Sequence, residues 1–346
     1  MRRPEKAIII FVILSSIIAG GCERKYAAEP NSEAQAREQA AAPISETRLM
    51  LDTFCKITIY DTQDQTILTD ALDLCAEYEA LLSISLESSD VWRINHAGGA
   101  AVTVAPQTAQ IIRAGLEYGE LSGGMFDITI GRLSTLWDFT GQSGVPSRAD
   151  IEFACATVDY RQVTVNGNTV QLTNPETWID LGGIAKGYIA DKAADLLREK
   201  GIQAAVIDLG GNIVVVGQKA DGDLWRVGVT RPFSERNDLI GVIETGEASV
   251  VSSGVYERQF EENGVLYHHI LDPNTGMPVS SGVVGATVLS TSSMNGDALS
   301  TVMLLLGSER VAALFDEVPD LIGAVLILED GELLTFGNID FQEIES

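Results

Sequence analysis

Three times the sequence sets two strand-like runs across a turn too short to do anything but bring the chain back alongside itself. "VTVNGNTVQL" (163–172) turns at Asn166-Gly167, and "AVLILEDGELLTF" (324–336) turns at Asp330-Gly331. "AAVIDL" and "NIVVVG" are separated only by Gly210-Gly211. Such dipeptides between alternating runs are hairpin signals, and a hairpin is antiparallel; parallel strands need a long crossover. Further strand patterns fall at 54–60, 225–230, 240–244, 265–271 and 283–290, and one more runs into the stretch "IDLGGIAKGYIAD" (179–191). Helical spacing marks 64–83, with Leu68, Leu72, Leu74, Leu81 and Leu82 offered to a core, then 106–121, 185–201 and 294–307. Strands and helices mix without strict alternation. The expected fold is therefore α+β with mostly antiparallel sheets, not a doubly wound parallel sheet. No internal repeat and no break inside residues 47–340 divides the body, which reads as a single domain.

The chain has 346 residues, enough for a large core, and a formal net charge of -26. That charge repels nucleic acid and anionic lipid, which excludes both as partners. It also repels nucleotide phosphates, so a phosphate site here needs local positive charge, a helix N-terminus or a metal. Residues 1–21 read as a secretory leader: Arg2, Arg3 and Lys6 precede "AIIIFVILSSIIA", which is short for a membrane span. Small residues then lead to Cys22, the pattern of a lipoprotein signal cleaved before a lipidated cysteine, though Ala19 stands where leucine is more usual. An uncleaved anchor is the alternative; either way the body lies outside the cytoplasm. The polar, Ala-rich residues 22–46 read as a flexible tether. Cys55, Cys75 and Cys155 form no CxxC motif and no disulfide framework. They read as buried small side chains, with one pair able to bridge.

Four stretches can carry chemistry. In "IDLGGIAKGYIAD", Gly182-Gly183 allows close approach to the backbone, and the following helix start with Lys186 suits a phosphate; a tight turn with a surface lysine is equally compatible. In "NGDALST" (295–301), Asp297 and Thr301 share a helix face and offer hard oxygens of the kind Mg²⁺ takes; they are also ordinary residues for a helix start. Two of the three histidines, His268 and His269, are adjacent in "YHHILDPNTGMP" (267–278), so in a strand one of them faces inward, as a base or as a satisfied core group. In "SGGMFDITIGRLSTLWDF" (122–139), Asp127 sits among apolar residues, either hydrogen-bonded in the core or binding something. Phe126 and Trp137 are core side chains or covers for a ring.

In chain order, "LDTFCKITIY", "LLSISLESSDVWRIN", "GGMFDITIGRLSTLW", "IDLGGIAKGYIAD", "DLGGNIVVVG", "SVVSSGVYER", "HHILDPNTGMP" and "NGDALSTVMLLLG" resemble the ApbE-type FAD:protein FMN transferases over about residues 48–338. The resemblance implies an α+β, T-fold-related structure with FAD in a cleft between two lobes. It implies Mg²⁺-dependent transfer of FMN from FAD to a threonine or serine hydroxyl of an acceptor flavoprotein, with release of AMP. Acceptors of the family are typically flavin subunits of Rnf- and Nqr-type membrane redox complexes. Carried onto this chain, Mg²⁺ would be held by the Gly183 carbonyl, Asp297 and Thr301. FAD would contact Asp180, Lys186, Met125, Phe126, Asp127 and the segment from His269 to Leu271, with His269 the candidate base. Leu51 stands where many members have a flavin-contacting methionine, and Ser85 where many have a tyrosine. Two rival functions remain: hydrolysis of FAD to FMN and AMP, and a lipid-anchored protein that holds flavin without chemistry.

Overall fold

The computed structural model describes residues 42–139, 144–234 and 238–344. The leader, Cys22 and most of the expected tether lie outside the described residues. The strands are β1 Ile44–Met50, β2 Thr53–Ile59, β3 Val102–Thr103, β4 Val163–Asn166, β5 Thr169–Leu172, β6 Ala204–Leu209, β7 Asn212–Gly217, β8 Trp225–Thr230, β9 Leu239–Thr245, β10 Ala248–Gly254, β11 Gln259–Glu262, β12 Val265–His268, β13 Val283–Ser290, β14 Leu321–Leu328, β15 Leu333–Gly337 and β16 Asp340–Glu343. The helices are α1 Gln65–Leu82, α2 Asp90–Asn95, α3 Pro106–Leu121, α4 Gly131–Trp137, α5 Arg148–Cys155, α6 Ala185–Glu199, α7 Ser293–Leu306 and α8 Val311–Glu317. Among the described residues, no helix is long and apolar enough to cross a membrane.

The frame is an eight-stranded sheet in the order β1-β2-β6-β7-β10-β13-β14-β15, and every strand pairing in it is antiparallel. The α+β expectation with antiparallel sheets therefore holds. The three sequence hairpins are β4–β5, β6–β7 and β14–β15. The central strands β7, β10, β13 and β14 are largely buried on both faces, while β1 and β2, at one edge, alternate with exposed residues. In β7, Val214 and Val216 face the main core, shared with α1, α3, α6 and α7, while Val215 faces a second core roofed by β8 and β9. A third, small core gathers Leu133, Trp137, Ile151, Ala154 and Leu271 beneath α4 and α5. Cys55 and Cys75 are buried free thiols, and burial pushes each up to about 12.

Three local expectations change. Strand β1 begins at Ile44 and takes the last three residues of the segment read as tether, because Ile44 is buried and pairs with Ile59. The run expected as a strand at 265–271 stops at His268. Leu271 keeps only an isolated bridge to Pro278, and the His269 amide turns to the Arg258 carbonyl at 3.1 Å. The approach to Gly182-Gly183 is not a strand either. It has one parallel bridge, Ile130 to Trp178, and its backbone is held by a side chain: Asn95 accepts from the Ile179 amide at 2.7 Å and donates to its carbonyl at 2.9 Å.

Helices α6 and α7 meet backbone to backbone. A Cβ on Gly187 would lie 2.2 Å from the Ser293 carbonyl oxygen and 2.7 Å from the Met294 Cα. Glycine is otherwise a poor helix residue, and this contact is why the sequence carries one in the first turn of α6. Gly187→Ala should cost about 1–3 kcal/mol, because overpacking against backbone outweighs alanine's better helix propensity. A urea titration reads this as a lowered midpoint; a raised midpoint would mean that the helices part freely.

Candidate functional site

Each of the crossing helices is capped by a carboxylate from the other. The helix α6 starts without a side-chain cap of its own, and Asp297 of α7 accepts from the Gly187 amide at 2.9 Å. In return Asp191 of α6 accepts from the amides of Ser293 (2.8 Å) and Met294 (3.0 Å), and from the Ser292 hydroxyl (3.0 Å). Free N–H groups at a helix start favour a carboxylate in both places. Asp297 thus serves a helix start, but that of a different helix from its own. Burial pushes the Asp191 carboxyl up, against the lowering effect of the Met294, Ser293 and Ser292 donors.

This exchange gathers the residues of two distant motifs. Asp297 is 2 % exposed, and its second oxygen lies 3.5 Å from the Lys186 ammonium. A Cβ on Gly183 would lie 3.1 Å from the Phe126 ring and 3.9 Å from the Thr301 hydroxyl. The glycine is therefore needed first by Phe126, which the buried ring of Tyr118 meets edge-on at 5.9 Å. The Thr301 hydroxyl has no hydrogen-bond partner among the described residues. Asp180 stands at the entry to the turn, accepting from the Gly182 amide at 2.8 Å and the Ser134 hydroxyl at 2.7 Å.

His269 completes the group. Its ring is partly exposed, but its Nδ1 is buried without a partner. Burial, with the Arg258 and Lys186 cations and the adjacent His268 ring nearby, pushes it down to about 3, so the ring is neutral at ordinary pH. His268 is the more buried of the pair: its Nε2 meets the Val279 carbonyl at 3.2 Å, and burial lowers it too. The hairpin tip between β1 and β2 closes the other side. Leu51 and Asp52 both take positive φ (54° and 56°), and Glu79 accepts from the Leu51 amide at 2.8 Å. Met125 is partly buried, and its Sδ meets the Asn274 amide nitrogen at 3.3 Å.

Three further expected contact residues are already engaged within the protein. Both Asp127 oxygens are engaged within the protein: one by the Thr129 amide and hydroxyl at 2.8 and 2.6 Å, the other by the Tyr160 amide at 2.8 Å. Asp127 therefore shapes its loop, and burial pushes its carboxyl up. The Leu271 side chain is 4 % exposed in the third core, which leaves only its backbone to meet a ligand. Ser85 is exposed and lies 3.1 Å from the Ser83 hydroxyl. Asn95 and Asp191 are positioning residues that the sequence reading passed over; the signals were a polar residue inside a helical run and an acid one turn beyond a helix glycine.

Among the described residues, no three His, Cys, Asp or Glu gather as a metal cage. Asp297, the Thr301 hydroxyl and the Gly183 carbonyl are hard oxygens, a partial donor set of the kind Mg²⁺ accepts when phosphates supply the rest.

The ApbE family model matches residues 51–326, and the chain belongs to the ApbE family. An FAD:protein FMN transferase of Klebsiella pneumoniae is 36% identical over 278 residues, 79% of this chain and 85% of the relative. One from Treponema pallidum is 33% identical, covering 83% and 84%. Among solved structures, the ApbE protein of Thermotoga maritima superposes with TM-score 0.77 at 33% identity, over 84% of this chain and 96% of that one. The flavin transferase ApbE of Vibrio cholerae gives 0.76 at 28%, over 86% and 97%.

The lowered histidines predict a pH dependence. Between about 3 and the ordinary 6.5, the unfolded chain binds protons that folded His269 refuses. Stability should therefore rise with pH across that window and level off above it. In chemical denaturation at stepped pH, His269→Gln should flatten the slope; an unchanged slope would show that His269 titrates normally.

Proposed function

We propose that this protein transfers the FMN moiety of FAD to a threonine or serine hydroxyl of an acceptor flavoprotein, releasing AMP. The observation that carries the reading is the convergence of Lys186, Asp297, Thr301 and the Gly182-Gly183 turn from two motifs, with neutral His269 beside them. Phosphoryl transfer calls chiefly for positioning and charge stabilisation. Lys186 and the start of α6 oppose the negative charge of the pyrophosphate in a chain that otherwise repels it. The acceptor hydroxyl attacks the FMN phosphorus, the bond to the bridging oxygen breaks, and AMP leaves with that oxygen. The hydroxyl proton passes to neutral His269, whose basicity rises once phosphate anions stand nearby. Asp297, Thr301 and the Gly183 carbonyl would hold Mg²⁺, which when bound draws charge from the pyrophosphate and the leaving group. Asp180, the Met125-Phe126 segment, Leu51 and the backbone at Leu271 are the proposed flavin and nucleotide contacts. Asp127 supports its segment from behind.

The likeness to the named transferases supports the activity, and the ordered acid–lysine–histidine group disfavours a protein that only holds flavin. The leader at 1–21, lipidation at Cys22, a tether ending near residue 43 and acceptors in Rnf- or Nqr-type redox complexes belong to the same reading. They place the enzyme on a membrane by lipid alone, facing the periplasm or cell exterior.

The test uses residues 42–346, because a later start would cut β1. With FAD, Mg²⁺ and a candidate acceptor domain, the acceptor should gain the mass of one FMN while AMP appears, and EDTA should stop both. Free FMN with an unmodified acceptor would indicate hydrolysis; bound FAD without AMP would sink the transferase reading. Asp297→Asn keeps an acceptor for the Gly187 amide but removes the charge. Turnover should fall on the order of 10²-fold or more with the fold retained; wild-type turnover would remove Asp297 from the site. For the anchor, Cys22→Ser should release the full-length protein from membranes, and undiminished attachment would indicate an uncleaved leader.

A further inference from the structure

The site as described sets one ammonium against the two negative charges of a pyrophosphate, and that ammonium already lies 3.5 Å from Asp297. A second cation, Arg258, also neighbours His269. Arg258 precedes β11, and its carbonyl accepts from the His269 amide at 3.1 Å, which ties its backbone to the segment of the candidate base. Its guanidinium reaches toward the β1–β2 hairpin tip, where Nη2 lies 3.9 Å from Asp52 Oδ2. That separation is too long for a hydrogen bond, and both side chains are open to water, 45% exposed for Arg258 and 81% for Asp52. An exposed pair of this kind contributes little stability.

Nor does the hairpin need it. Positive φ at both central residues is what a two-residue turn of the mirror-image type takes by itself, and Glu79 separately holds the Leu51 amide. The contact is therefore a weak parking place for a group whose chemistry suits another partner. A guanidinium presents a planar fork of donors that matches two phosphate oxygens, which an ammonium cannot do. In a chain of net charge -26, a loosely held guanidinium tied through its backbone to the segment of the candidate base is a local source of positive charge for an anion.

We propose that Arg258 is the second phosphate-binding cation of this site, leaving Asp52 when a dinucleotide enters and donating to non-bridging oxygens of its pyrophosphate. The inference rests on the FAD reading above. Lys186 then meets the pyrophosphate from the Asp297 side and Arg258 from the hairpin side. Asp52 keeps the guanidinium at the site while it is empty. As AMP departs, Arg258 opposes the charge that collects on its phosphate.

The test measures FAD affinity of the full-length chain in detergent micelles with Mg²⁺, as a function of salt, for the wild type and for Arg258→Gln, Arg258→Lys and Asp52→Asn. Asparagine is chosen at 52 because it tolerates positive φ. Arg258→Gln should weaken FAD binding about tenfold, the effect of losing one charge-assisted contact, and should flatten its salt dependence. Arg258→Lys should recover part of the loss. Asp52→Asn should leave the affinity unchanged or raise it, since it frees the guanidinium. Wild-type affinity in Arg258→Gln would overturn the proposal. So would an equal loss in Asp52→Asn, because the pair would then be shaping the hairpin. A wild type that binds no FAD would instead remove the flavin reading itself, and with it the need for Arg258.

Discussion

The exchange of carboxylates between α6 and α7 is the interaction on which the rest depends. Two helix starts each present unsatisfied N–H groups inside the protein, and each is answered by an acid from the other helix, Asp297 in one direction and Asp191 in the other. Only a glycine at 187 lets the backbones come near enough for both exchanges at once. The arrangement fixes the fold and makes the site in one step. It draws Asp297 out of water, brings Lys186 beside it, and sets Thr301 close to Gly183. A carboxylate that caps a helix through one oxygen keeps the other for a cation.

The opposite wall has a different physical character. His269 is neutral because burial and neighbouring cations disfavour a further positive charge there. An anion placed beside it would raise its basicity again. The hairpin tip at Leu51-Asp52 and the loop at Arg258 frame this side, and both rest on the large sheet, through β2 and through β10. The centre of that sheet is covered on both faces, so the parts of the site that lie on loops and helix starts are mounted on a rigid floor.

The likeness to named flavin transferases spans most of this chain and nearly all of the solved structures. It covers the stretches that carry the glycine turn and the acid–threonine pair, since the family model matches residues 51–326. Where the chain departs, at Leu51 and Ser85, the structure offers a hairpin tip and an exposed serine.

The hairpins at Asn166-Gly167, Gly210-Gly211 and Asp330-Gly331, the helix at 106–121, the helix expected at 185–201 that ends at Glu199, and the antiparallel α+β class were all legible in the sequence. Each is decided by residues within a turn or two of one another, through turn chemistry and the spacing of apolar side chains. The motif order also pointed to Lys186, Asp297 and Thr301. Their convergence was not legible, because Gly187 and Asp297 are 110 residues apart, and no local pattern says which helix start a carboxylate will cap. The approach to Gly182-Gly183 read as a strand because it is apolar and extended. Its partner proved to be the amide of Asn95, 84 residues away, so it is held without a ladder. Asp127 and Leu271 lie in motifs near the site but turn inward, since side-chain direction depends on which neighbours bury them. Local elements and the available chemistry follow from the order of residues alone. Which of those groups meet follows from folding, because burial and hydrogen-bond satisfaction are settled between segments far apart in the chain.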